Sequence, residues 1–172
     1  MQKHHKKYWT GVGSRETPKD ILDLMYEISL KLDSLGWTLR SGGADGADTA
    51  FEKGAKKPDI YLPWKGFNNR QGIILEHCDR ENFAYDLASK IHPAWDKLSR
   101  GASALHARNI FQVLGHLDSM PKSKFLICYA KPSGDSVSGG TRTAVECAKM
   151  HDVKVENLFH EDVQEKMHNF IS

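Results

Sequence analysis

A chain of 172 residues, 40% hydrophobic and 27% charged, is long enough to bury a core without disulfide or metal staples. Lys and Arg number 24 against 22 Asp and Glu, a formal charge of +2, so composition lacks the basic excess that marks a nucleic-acid protein. No run approaches the ~20 apolar residues of a spanning helix, and four Trp, seven Phe and five Tyr argue against disorder. Cys78, Cys128 and Cys147 are odd in number and widely spaced, with no CxxC, which speaks against a disulfide framework or a zinc site. The basic start through Lys7 leads into a strand-like segment with no apolar h-region, unlike a signal peptide. A cytoplasmic chain with no membrane partner is the expectation.

In chain order, residues 8–13 read as a short strand ending in glycine. Thr17 and Pro18 suit a helix cap and first turn. Ile21, Leu24, Met25, Ile28, Leu32 and Leu35 then form one helical stripe, stopped by Gly36. A second strand is expected over 37–40 and a second helix running to about residue 56. A third strand spans 59–64, with Pro63 favouring its end or an edge. From 65 to 99 the periodicity weakens into an excursion, with a loop at 68–70 and a helix over 83–91. A helix over 102–114 follows. Residues 124–130 are continuously apolar, as a strand buried on both faces must be. A polar Gly-rich loop, a helix over 141–150, a last strand over 153–158 and a closing polar helix complete the chain. Alternating strands and helices predict an α/β, Rossmann-like three-layer sandwich: a mostly parallel sheet of about five strands with helices on both faces. No linker divides the chain, so 1–172 is read as one domain.

Three strands end in glycine-rich loops: Gly11-Val12-Gly13-Ser14-Arg15, Ser41-Gly42-Gly43-Ala44-Asp45-Gly46-Ala47-Asp48, and Ser138-Gly139-Gly140-Thr141-Arg142-Thr143. In an open parallel sheet, ligands bind beyond the carboxyl ends of the strands. A Gly-rich turn feeding a helix start offers free N–H groups and a positive dipole end to an anion. One such loop is as readily a tight turn as a phosphate site. Three at one sheet edge favour a phosphorylated ligand, for which Gly11, Gly13, Ser14, Arg15, Ser41, Gly42, Gly43, Asp45, Asp48, Ser138, Gly139, Gly140, Thr141, Arg142 and Thr143 are the candidates. Asp45 and Asp48 also suit a plain helix start. Glu146, six residues after Gly140, would reach a ribose attached to the phosphate, and its bland alternative is a solvated helix position. Arg108, off the face set by Ala107, Ile110 and Phe111, reads otherwise as a surface arginine with a packed stem. Trp64 and Trp95 could stack on a base or simply pack. The nine histidines are scattered without ligand spacing, so no metal and no cofactor are expected.

These three motifs resemble the SMF/DprA–LOG (SLOG) superfamily over roughly residues 8 to 158, in particular its small stand-alone DprA-like or YspA-like members. Gly139-Gly140-Thr141-Arg142-Thr143-Ala144-Val145-Glu146 is similar to the GGxGTxxE motif of the Lonely Guy branch, with Arg142 in place of the third glycine. His106 and Arg108 match two positions of that branch's MHxRK. The resemblance implies a nucleotide-binding protein, with Arg108 and Glu146 as the catalytic pair of a phosphoribohydrolase cleaving the N-glycosidic bond of a nucleoside 5′-monophosphate. A non-catalytic sensor of a signalling nucleotide is the first alternative. A DprA-like single-stranded DNA binder is the second, ranked lower on charge although Lys3, Lys6 and Lys7 would suit it. Pairing into a homodimer or higher homo-oligomer is a further implication of the resemblance.

Overall fold

The computed structural model describes residues 6–172; Lys3 lies outside that range. Six parallel strands form the sheet: β1 (Lys7–Gly13), β2 (Trp37–Ser41), β3 (Asp59–Leu62), β4 (Ile73–Ile74), β5 (Phe125–Tyr129) and β8 (Lys154–Asn157). Their order is β4-β3-β2-β1-β5-β8. The chain builds outward from β1 to β4 and then returns to the other side of β1, so strand order reverses between β1 and β5. The remaining strands, β6 (Pro132–Ser133) and β7 (Ser136–Val137), form a small antiparallel hairpin.

Helices α1 (Lys19–Ser34), α2 (Ala47–Lys53) and α6 (Glu161–Ile171) pack on one face, and α3 (Glu81–Ile91), α4 (Arg100–Leu114) and α5 (Arg142–Met150) on the other. This is the three-layer Rossmann-like sandwich. Strand pleating splits the core in two: on β5, Leu126 and Cys128 point into the α3–α4–α5 layer and Ile127 into the opposite one. All three are at most 1% exposed, as the apolar run predicted. Cys128 and Cys147 are buried core residues. No helix among the described residues is long and apolar enough to cross a membrane.

The mostly parallel sheet of about five strands is borne out, with a sixth, β4, added at the edge by the excursion and, at two residues, too short to show a period. Other expectations are corrected. The polar loop after β5 contains the β6–β7 hairpin, with Gly134 at φ +59° in its turn. Thr17 does not cap α1: its hydroxyl donates to the Ser14 carbonyl at 2.6 Å, and Pro18 takes the capping position without a side-chain bond. The α1 stripe is buried from Ile21 through Leu32, but Leu35 is 52% exposed because the helix has already ended there. Helix α2 stops at Lys53, three residues early, on Gly54.

Candidate functional site at the carboxyl edge of the sheet

All three glycine-rich loops lie at the carboxyl edge of the parallel sheet, but the structure uses them differently. The first is consumed by packing. Gly11 lies within β1, where a Cβ would meet the Phe51 ring at 2.8 Å and Leu39 at 2.9 Å. A Cβ on Gly13 would meet that of Ala47 at 2.8 Å. The Ser14 N–H donates to Tyr129 O at 3.0 Å, and the Ser14 hydroxyl accepts from the Glu16 N–H at 3.0 Å. Arg15 is left exposed at the rim.

The second loop already carries its own anions. Asp48 and Glu52 lie one turn apart on α2, 4% and 7% exposed. The Glu52 carboxylate accepts from the Gly43 N–H at 2.9 Å, and that of Asp48 from the Ala44 N–H at 3.3 Å. These are the groups a phosphate would otherwise use. The Ser41 hydroxyl donates to Gly11 O at 2.7 Å. The excursion folds over this loop: the Asn68 amide donates to Gly43 O at 3.0 Å and to Asp45 at 3.1 Å, and Arg70 forms an ion pair with Glu52.

Arg108 is the floor of this arrangement, not a surface arginine. It is 5% exposed, and its guanidinium donates to the carbonyls of Gly42 and Tyr61, the latter at 3.0 Å, and to Asn109 Oδ1 at 3.0 Å. Burial lowers its pKa to about 10, while Asp48 and Glu52 act to raise it. It therefore stays cationic at neutral pH and neutralises a pocket holding two carboxylates.

Burial pushes the Asp48 carboxyl up to about 7 from an ordinary 3.8, although Arg108 pulls it down. Between those values the folded state holds a proton the unfolded chain has lost, so this group's contribution to stability falls as pH rises from about 4 to about 7. His106 acts with the opposite sign. Burial, helped by His92 and Arg108, lowers its pKa to about 4, so its contribution is lost as pH falls from about 6.5 towards 4. Asp48→Asn is therefore expected to remove the falling component. The difference in urea unfolding free energy between wild type and variant, measured across that window, reads it without interference from His106.

The third loop is open. Neither Gly139 nor Gly140 has anything within 4 Å of where a Cβ would stand, and Gly139 holds φ +80°. No backbone carbonyl among the described residues accepts from the N–H of Gly139, Gly140 or Thr141. These groups precede α5, where Thr141 occupies the capping position without a side-chain bond. The loop is held from below: Asn109 donates to Gly140 O at 2.8 Å, and the Thr143 hydroxyl meets His106 Nδ1 at 2.7 Å. Ser138 is exposed beside it.

Arg142 and Glu146, one turn apart on α5, line a cleft of ≈ 540 Å³ with Lys90 and Lys149, bounded by the β6–β7 turn. Arg142 Nε is buried with no hydrogen-bond partner among the described residues. Glu146 pairs with Lys149 at 3.6 Å. Arg108 and Glu146 are not joined by any hydrogen bond or ion pair among the described residues: one faces the second loop, the other this cleft. Trp95 packs edge-on to Tyr85, whereas Trp64 is exposed. Among the described residues, no three His, Cys, Asp or Glu side chains are grouped to hold a metal ion.

Asn109, Glu52, Asn68 and Arg70 were not singled out from sequence. The spacing of Asp48 and Glu52 on one face of α2 is the signal that could have found the buried carboxylate pair.

No protein-family model matches the chain, and no curated protein matches it. Among solved structures it is similar to DNA processing protein A from Helicobacter pylori, described for its single-stranded DNA binding mode. The match is 16% identical, covers 96% of this chain and 80% of that one, and has a TM-score of 0.39. At that similarity it carries no argument about function.

Proposed function

We propose that the protein binds a phosphorylated nucleotide with its phosphate at Gly139, Gly140 and Thr141. One observation carries this reading: of the three glycine-rich loops, the third alone combines open space at its glycines with unclaimed backbone N–H groups at a helix start. Such a terminus favours an anion by its free donors and its dipole. Arg142, the residue after Thr141, adds positive charge to this terminus, and its buried Nε has no hydrogen-bond partner among the described residues. Arg142 thus compensates for the glycine it replaces in the motif.

Glu146 gives this site its chemistry in the hydrolytic form of the reading. Water oxygen bonds to the ribose C1′, the C1′–N bond breaks, and the base leaves with a proton, giving ribose 5-phosphate. Positive charge builds on the sugar as the bond breaks, and the Glu146 carboxylate stabilises it. Arg108 acts as a positioning residue, since its donors are committed to Gly42, Tyr61 and Asn109. Calorimetric titration with the four nucleoside 5′-monophosphates tests binding, and a time course of free base tests cleavage. Glu146→Gln is expected to retain binding and to lower base release at least about a hundredfold, the scale of a lost catalytic group. Binding without release in the wild type leaves a sensor and removes the hydrolase.

A second reading, single-stranded DNA on the same loop, draws on Lys90, Arg142 and Lys149 in the adjacent cleft, set against the carboxylates of Asp135 and Glu146. It predicts oligonucleotide affinity that falls steeply with salt, against little length dependence for a mononucleotide site.

A further inference from the structure

We propose that Trp64, buttressed by Phe67, is the platform on which the base of the bound nucleotide stacks; this rests on the phosphate reading of the third loop. Trp64 lies two residues beyond the end of β3, at the same carboxyl edge as Gly140. The residue is 39% exposed, and its ring stands perpendicular to that of Phe67, with centroids 5.3 Å apart. Its far edge lies over Gly101, at the start of α4.

The segment that carries the two rings is held in place. Gly66, Asn68 and Asn69 are all left-handed, at φ +82°, +51° and +55°. Two consecutive non-glycine residues in that region persist only where the surroundings impose it. Here the imposing contacts are Asn68 to Gly43 and Asp45, the Arg70–Glu52 ion pair, and the Arg70 N–H to Phe67 O at 2.9 Å. An exposed indole on a fixed turn loses little freedom when it meets a flat ligand.

The platform is connected to the phosphate loop through two side chains. The Arg108 guanidinium lies 5.6 Å from the Phe67 ring centroid. It donates to Asn109, whose amide donates to Gly140 O. Arg108 and Asn109 thus form a buried link between the aromatic corner and the open loop. Phe159, a further exposed aromatic, packs with Tyr129 against the opposite layer and serves as a control.

Ribose 5-phosphate carries the phosphate and sugar without the base, so it separates the two ends of the site. Stacking of one base is worth roughly 1–3 kcal/mol. Trp64→Ala is accordingly expected to raise the Kd of the preferred nucleoside 5′-monophosphate about tenfold or more and to leave that of ribose 5-phosphate unchanged. Trp64→Phe should restore most of the loss, and Phe159→Ala should change neither Kd. The wild type should also lose indole fluorescence on binding the nucleotide, a signal absent in Trp64→Phe. Equal effects of Trp64→Ala on both ligands, or none on either, would overturn the platform and leave the phosphate loop standing. Failure of the wild type to bind either ligand would overturn the phosphate reading and the platform with it.

Discussion

Arg108→Met is expected to destabilise the protein by about 3–5 kcal/mol, the scale of removing one member of a buried charge network. The substitution strands the carbonyls of Gly42 and Tyr61 and leaves Asp48 and Glu52 without their shared cation. Methionine fills similar volume, so the loss reports charge and hydrogen bonding more than a cavity. Urea unfolding near neutral pH measures it. Asp48→Asn added to Arg108→Met should recover part of the loss, because a neutral amide no longer needs the guanidinium. A change of about 0.5 kcal/mol or less, typical of a surface arginine, would show that Arg108 is not the floor of the second loop.

Gly42→Ala is the second large effect, expected to cost about 2 kcal/mol through overpacking. The new methyl would stand 2.8 Å from both Arg108 Nη1 and Asp48 Oδ2, and closer still to the Gln112 amide. None of these can retreat into solvent: Arg108, Asp48 and Gln112 are each 5% exposed or less. Gly140→Val is the matched contrast. A Cβ there meets nothing within 4 Å, so the unfolding free energy of the variant should stay within about 0.5 kcal/mol of wild type. Thermal melts of both variants, run in parallel, separate a packing glycine from an open one.

That contrast marks where sequence was informative and where it was not. The apolar run from Phe125 to Tyr129 and the stripe from Ile21 to Leu32 were legible because burial imposes a period or a continuous apolar block. Strand β4 and the β6–β7 hairpin were not, since two-residue strands carry no period and Ser133 to Ser136 reads only as turn-forming. The three loops were legible as glycine-rich and as lying at one sheet edge. A glycine looks the same in sequence whether its missing Cβ makes room for Phe51, as at Gly11, for Arg108, as at Gly42, or for open space, as at Gly140. Arg108 read as off the apolar face of its helix because its partners, the carbonyls of Gly42 and Tyr61, are distant in the chain. Only the fold brings them to the helix side where a polar residue becomes buried.

The excursion from 65 to 99 had no assigned purpose in the sequence, and the structure gives part of it one. Asn68 and Arg70 bind the second loop, and Phe67 lies over Arg108. The segment thereby fixes the rim over the second loop. This arrangement also bears on the near-neutral charge. Two buried carboxylates offset two arginines within the fold, so the +2 balance says little about the charge presented to a ligand at Gly139 to Arg142.

The most direct test of the phosphate site is calorimetric titration of wild type and Gly140→Val with a nucleoside 5′-monophosphate at low salt. The open-loop account predicts that wild type binds and that Gly140→Val, folded with an unchanged melting temperature, binds at least about tenfold more weakly, since even one lost charge-assisted hydrogen bond is worth roughly 1.5–3 kcal/mol. Undiminished binding by Gly140→Val would contradict it and move the phosphate elsewhere on the sheet edge.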